Sequence, residues 1–165
     1  FNRLLTLLPD ISFELITSEK LFLAINEDHP FSKKSVIPAR ILAENPLILY
    51  PTGTRPNYID KVTNICHDMG FAPQISQKVG DVITAIALVS SGFGICPVPE
   101  SAISLNLPNV VYRSLSGLPE NSNIDLSCIY RSNDNSAILK AFLEVCRTYR
   151  ESFGTISNVN QCGQK

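Results

Sequence analysis

A chain of 165 residues has the length of one ordinary domain, and 44% apolar residues are enough to build a core. Fourteen Lys and Arg against fifteen Asp and Glu leave a formal net charge of -1, which excludes a stand-alone nucleic-acid binder, because phosphate contacts need clustered cations. No stretch is apolar for the roughly 18 residues a membrane span needs.

The start, FNRLLTLLPD, has no long apolar centre and no small-residue cleavage site, so no signal peptide is expected there. The first residue is Phe, and a further part is expected upstream. SFELITSEKLFLAIN reads as two strands or one broken strand. Leu21, Phe22, Leu23, Ala24 and Ile25 are continuously apolar, the pattern of a strand buried on both faces. EDHPFSKKSVIP reads as a polar loop with Pro30 as a breaker, and ARILAE as a short helix. PLILY, ending at Tyr50, is a second buried strand. Ile59, Val62, Ile65, Cys66 and Met69 have the spacing of an amphipathic helix that Pro56 opens and Gly70 closes.

QISQKV is a short alternating strand, and GDVITAIALVSSG is a helix with Asp81 as N-cap and Gly92 at its end. FGICPVP is a strand, ESAISLN a short helix, NVVYRSL a strand and GLPENSN a turn. IDLSCIYR is a strand with apolar residues at alternate positions. From Ser136 to about Phe153 runs an amphipathic helix carrying Ile138, Leu139, Phe142, Val145 and Cys146, and the polar stretch 154–165 is expected to fray. Strands alternate with helices, which predicts an α/β fold with a mainly parallel sheet.

Little in this chain asks for catalysis. Cys66, Cys96, Cys128, Cys146 and Cys162 are widely spaced and form no C-x-x-C, so they read as reduced thiols packed like small apolar groups. His29 and His67 are not at metal-ligand spacing, and no metal or other cofactor is expected. There is no G-x-S-x-G, P-loop, H-E-x-x-H or G-x-G-x-x-G, and Glu14, Glu19, Asp60 and Asp81 show no acid–base pairing. The expectation is a protein that is not an enzyme.

Binding is better served. In YPTGTRPNYID a strand ends and a helix begins with small polar residues and Arg55 at its mouth. In parallel α/β sheets ligands bind where strands end and helices start, and free N–H groups at a helix N-terminus accept carboxylates and phosphates. An ordinary capped turn uses the same residue types, so both readings stand at this point.

GFAPQISQKVGDVITAIALVSSGFGICPVPES resembles the signature of LysR-type transcriptional regulators, in which a strand, a helix ending L-V-x-x-G-x-G-I and a V-P stop follow in this order. LFLAINEDHPF, PLILYPTGTRPN and the late IDLSCIYR strand followed by a helix fit the same family. ILYPTGTRPNYID and FNRLL are similar to the branch that governs catechol and benzoate breakdown and senses cis,cis-muconate.

The resemblance implies a periplasmic-binding-protein-like α/β fold of two subdomains with an effector in their cleft. By that layout 1–18 ends a truncated subdomain I, 19–118 is subdomain II, 119–153 returns to subdomain I and 154–165 is a flexible tail. It implies effector contacts from Arg3, Thr52, Pro56, Asn57, Tyr58 and Leu126, with the backbone N–H groups of Asn57 and Tyr58 at the helix mouth and Tyr58 as an aromatic wall. Glu19 matches a position near a second effector site of one subgroup. The implied partners are a small carboxylate such as cis,cis-muconate, DNA through an upstream winged helix-turn-helix, and copies of itself, as a tetramer, in the cytoplasm. The alternative on this fold is a solute-binding protein of a transporter.

Overall fold

The structure, a computed structural model, describes residues 10–53 and 57–159, the last seven of these through the backbone alone. Its elements in chain order are strands β1 (Ile11–Glu19), β2 (Leu21–Asn26) and β3 (Val36–Pro38), helix α1 (Ile41–Glu44), strand β4 (Leu47–Leu49), helix α2 (Tyr58–Asp68), strand β5 (Ile75–Lys78) and helix α3 (Val82–Ser90). Strand β6 (Cys96–Pro99), a 3-10 turn (Glu100–Ser104), strands β7 (Val110–Ser116) and β8 (Ile124–Arg131), and helix α4 (Ala137–Val159) complete it. The chain divides into two compact units, one of Glu19–Ile124 and one of the segments that flank it.

In the unit Glu19–Ile124 the strand order is β3-β7-β2-β6, with β4 and β5 paired beside it. The apolar run Leu21–Ile25 takes the inner position, where both faces and both edges are covered; Leu23, Ala24 and Ile25 are fully buried. The sheets are mixed, but among the described ladders parallel pairing does not dominate. β2 runs antiparallel to both β6 and β7, while β3–β7 and β4–β5 are parallel. The alternation of strands and helices suggested crossovers throughout; the two strands beside β2 instead enter from the opposite end.

Two local expectations change. The loop expected over 27–38 contains β3, because Ile37 is fully buried and the segment lies parallel to β7. Pro38 ends this edge strand, where a missing N–H is tolerated. The short helix expected after Pro99 is a 3-10 turn. α3 follows the expectation closely: Asp81 Oδ1 accepts from the Thr84 N–H at 2.8 Å, and Gly92 follows the helix with φ of 77°.

The core of this unit packs β4 and α2 together. Leu47, Ile48 and Leu49 are all fully buried, and α2 buries Tyr58, Ile59, Val62, Ile65 and Cys66 on one face. Each such aliphatic side chain contributes about 1.5–3 kcal/mol. Gly94 is required by close packing, since a Cβ there would collide with the Pro46 carbonyl oxygen.

In the other unit β1 and β8 form a two-stranded sheet, and α4 brings Leu143 and Cys146 into burial. Arg147 donates to both carboxylate oxygens of Glu14, at 2.7 and 2.8 Å. This fork lowers the Glu14 pKa from the usual 4.5, the hydrogen bond from Arg147 being the largest cause. Ser136 Oγ accepts from the Leu139 N–H and opens α4. The helix runs to Val159, past the expected end near Phe153. Gly154 lowers helix propensity by about 1 kcal/mol relative to Ala but does not forbid the conformation. No proline follows Pro119 to stop it.

Candidate functional site

The loop after β4 begins as an extension of the β4–β5 ladder. The Val79 N–H donates to the Leu49 carbonyl, and the Thr52 N–H donates to the Val79 carbonyl, both at 2.9 Å. Thr52 is exposed, held by its backbone with its side chain at the surface. The Tyr50–Pro51 peptide is cis, and Gly53 has φ of 137°, a backbone that suits glycine. Pro56, like Thr54 and Arg55, lies outside the described residues, as does Arg3.

The helix mouth is two residues later than the expected opening at Pro56. α2 begins at Tyr58, and Asn57, not Pro56, sets its start. Asn57 Oδ1 accepts from the Ile59 N–H at 2.9 Å, and the Asn57 N–H donates to Asp60 Oδ2 at 2.8 Å. This is a reciprocal capping box. Asn57 Nδ2 also donates to the Pro51 carbonyl at 3.3 Å, tying the helix start to the loop. The Asn57 N–H expected to meet an effector is thus engaged by Asp60. The sequence carries that signal as N-x-x-D over 57–60, directly after the proline that also marks a helix start.

Tyr58 is 1% exposed and belongs to the core rather than to an open wall. Its ring packs on that of Tyr50, centroids 5.1 Å apart and tilted by 32°. Burial pushes both hydroxyls above the ordinary tyrosine range, so both stay protonated. The aromatic at 58 sits inside because it shares the buried face of α2 with Ile59, Val62, Ile65 and Cys66 and meets the Tyr50 ring.

Glu19 makes a local contact, its Oε2 accepting from the Ser101 N–H at 2.9 Å, at the start of the 3-10 turn. Leu126 lies half-buried in β8, in the unit of the flanking segments. The structure brings Thr52, Asn57 and Tyr58 together around one loop. A cavity of about 590 Å³ in the unit Glu19–Ile124 lies elsewhere, lined by Asn26, His29, Asn45, Ser90 and Asn109 among others, and includes none of the expected site residues. Of the thiols, burial pushes Cys66 up to about 11 and Cys96 further, and the four described cysteines are free, as packed apolar groups should be. Among the described residues no cluster of three or more His, Cys, Asp or Glu could hold a metal ion, and no helix is long and apolar enough to cross a membrane.

An α/β unit of mixed sheets, inserted within a second unit whose segments flank it, defines the class of periplasmic-binding-protein-like effector domains. Residues 2–151 match the LysR substrate binding domain, and the chain belongs to that family. It is 31% identical over 130 residues to the HTH-type transcriptional regulator ClcR of Pseudomonas putida, covering 79% of this chain and 44% of that protein. It is 34% identical over 114 residues to the HTH-type transcriptional regulator BenM of Acinetobacter baylyi, covering 68% of this chain and 38% of that protein. The BenM effector binding domain with its effector benzoate matches with a TM-score of 0.78 at 29% identity, covering 92% of this chain and 68% of that one. CbnR, a LysR family transcriptional regulator, matches with a TM-score of 0.77 at 27% identity, covering 88% of this chain and 50% of that one. The chain spans less than half the length of these curated relatives.

Proposed function

We propose that this chain is the effector-binding portion of a LysR-type transcriptional activator that controls an aromatic, catechol-type degradation operon in response to cis,cis-muconate. The observation that carries this reading is the family match over residues 2–151, joined to relatives that are themselves transcriptional regulators, one with benzoate as its effector. Residues 19–118 serve as effector subdomain II, and 1–18 with 119–153 belong to subdomain I. The effector is a small carboxylate held by Arg3, Thr52, Pro56, Asn57, Tyr58 and Leu126. Thr52 supplies an exposed hydroxyl at the helix mouth, and the positive end of α2 favours a carboxylate there. Tyr58 acts from beneath, by fixing the ring stack on which the loop rests. Arg3 supplies the charge-assisted contact to the second carboxylate.

The intact protein is a homotetramer in the cytoplasm that binds DNA through a winged helix-turn-helix, and effector binding biases its arrangement by differential affinity. Calorimetry on the full-length protein tests the ligand. Muconate binding, weakened by about 1–3 kcal/mol in Arg3→Ala, is expected. Absence of muconate binding by the wild type would refute the assignment to this branch.

A further inference from the structure

The cavity of about 590 Å³ in the unit Glu19–Ile124 shares no residue with the effector contacts. Asn45 and Pro46, which line it, precede β4, while Thr52, Asn57 and Tyr58 follow that strand. The cavity and the effector loop therefore lie at opposite ends of β4. Its volume falls in the range of about 300–1,000 Å³ in which small molecules are held.

The walls are fixed by hydrogen bonds that turn their donors onto the protein itself. Asn26, the last residue of β2, donates through Nδ2 to the Ser90 carbonyl at 2.8 Å and to the Val89 carbonyl at 3.4 Å. Its Oδ1 accepts from the Asp28 N–H at 2.9 Å. Ser90 Oγ donates to the Pro108 carbonyl at 2.7 Å, and Ser91 Oγ to the Ala87 carbonyl at 3.1 Å. Asn45 Nδ2 donates to the Ile41 carbonyl at 3.1 Å. His29 Nδ1 accepts from the Phe31 N–H at 3.2 Å, which leaves the ring proton on Nε2 to meet Asn45 Oδ1 at 3.3 Å.

What the walls retain is acceptor capacity. Amide and hydroxyl oxygens each have two lone pairs, and in Asn26, Asn45, Ser90 and Ser91 no more than one is taken. The Asp28 carboxylate is exposed and makes no hydrogen bond or ion pair among the described residues. No Lys or Arg is among the described residues that line the cavity. α3 ends there, and its last turn holds no basic residue to balance the partial negative charge of its carboxyl end. Spare acceptors, a free carboxylate and a helix carboxyl end together repel anions and suit a cation that brings several N–H donors. A bare divalent ion fits less well, because it needs several oxygen ligands closing on one point, and the described residues offer no group of three or more His, Cys, Asp or Glu.

We propose that this cavity binds a small organic cation with a primary ammonium or guanidinium head. The head pairs with the Asp28 carboxylate and donates to the amide and hydroxyl oxygens of the walls. Such a ligand is opposite in charge to a carboxylate effector, so the two sites select different molecules. The walls are already tied to β2, α1 and α3, so little ordering is left for the ligand to impose. Occupancy stabilises the unit Glu19–Ile124 by mass action.

The test uses the full-length protein with putrescine and agmatine as probes, and the uncharged diol analogue of putrescine and succinate as controls. Calorimetry without muconate should give a Kd of about 1 mM or lower for a probe and no binding of either control. Asp28→Asn should weaken the probe about tenfold, the scale of one hydrogen bond to a charged group. Glu27→Gln, one residue away and outside the lining, should leave affinity within about twofold, as an exposed distant charge does. Saturating probe should slow amide hydrogen exchange over 26–29 and 88–94 and leave 57–68 unchanged. Absence of binding by both probes, equal binding of the diol, or equal losses in Glu27→Gln and Asp28→Asn overturns the cation site, as does protection that misses 26–29 and 88–94. No muconate enters these measurements, so their outcome is separate from that of the effector reading.

Discussion

Asn57 offers the sharpest test, because its local role and its proposed ligand role lead to different results. In Asn57→Ala the N-cap acceptor for the Ile59 N–H disappears, a loss of about 1 kcal/mol within a range of 0.5–2. The bond from Nδ2 to the Pro51 carbonyl, long at 3.3 Å, adds about 0.5 kcal/mol at the weak end of hydrogen-bond contributions. The Asn57 N–H and its acceptor Asp60 both survive the change. The sum, about 1.5 kcal/mol, corresponds to a fall in Tm of roughly 3–6 °C for a protein of this size. Asn57→Asp keeps an oxygen acceptor and places a negative charge at a helix N-terminus, which is favourable, against repulsion from Asp60. Its stability should lie within about 0.5 kcal/mol of wild type, the scale of one like-charge pair on a helix. A carboxylate at 57 nevertheless repels a carboxylate effector, so muconate affinity should drop by about tenfold or more, the cost of one unfavourable charge contact. Thermal melts and calorimetry on the full-length protein give both numbers. A Tm for Asn57→Ala within about 1 °C of wild type would refute the capping energetics. Wild-type muconate affinity in Asn57→Asp would remove residue 57 from the effector contacts.

Two further outcomes follow from the same geometry. Gly94→Ala places a methyl against the Pro46 carbonyl oxygen at a φ of 152°. It should cost about 3 kcal/mol or more through overpacking and backbone strain, read as a lowered denaturation midpoint; a midpoint equal to wild type contradicts the close approach of β4 and β6. Glu14 has a lowered folded pKa because Arg147 holds its carboxylate, so its contribution is present above its ordinary value of 4.5 and is lost as pH falls through the lowered one. The stability gap between wild type and Glu14→Gln should therefore shrink as the pH falls below 4.5, the gap itself being modest because Arg147 is 46% exposed. A gap that widens in acid would show that the pair does not behave as an ion pair.

Much of the architecture was legible because periodicity and punctuation are local. The continuous apolar run Leu21–Ile25, the 57–69 spacing and the Asp81 cap each depend on a few neighbouring residues, and β2, α2 and α3 lie where those residues put them. Strand direction was less legible. Whether β2 lies antiparallel to β6 and β7 depends on where the chain re-enters the sheet, and alternating strands and helices do not encode that. β3 was hidden for a related reason: three residues around Ile37 become a strand only because β7 lies beside them.

The candidate site divides the same way. Sequence by itself determined that a buried strand ends at Tyr50, that a helix follows, and that Thr52, Asn57 and Tyr58 gather at its mouth, since these are consequences of spacing along one chain. Tertiary structure alone decided what those residues do there. Tyr58 turns into the core because the Tyr50 ring packs on it and its face of α2 is buried. Glu19 is taken by the Ser101 N–H, 82 residues away in the chain. Ser18 meets Asp125 across 107 residues. Contacts of that separation form only when the backbone has brought the partners within reach, so no reading of neighbours along the sequence contains them.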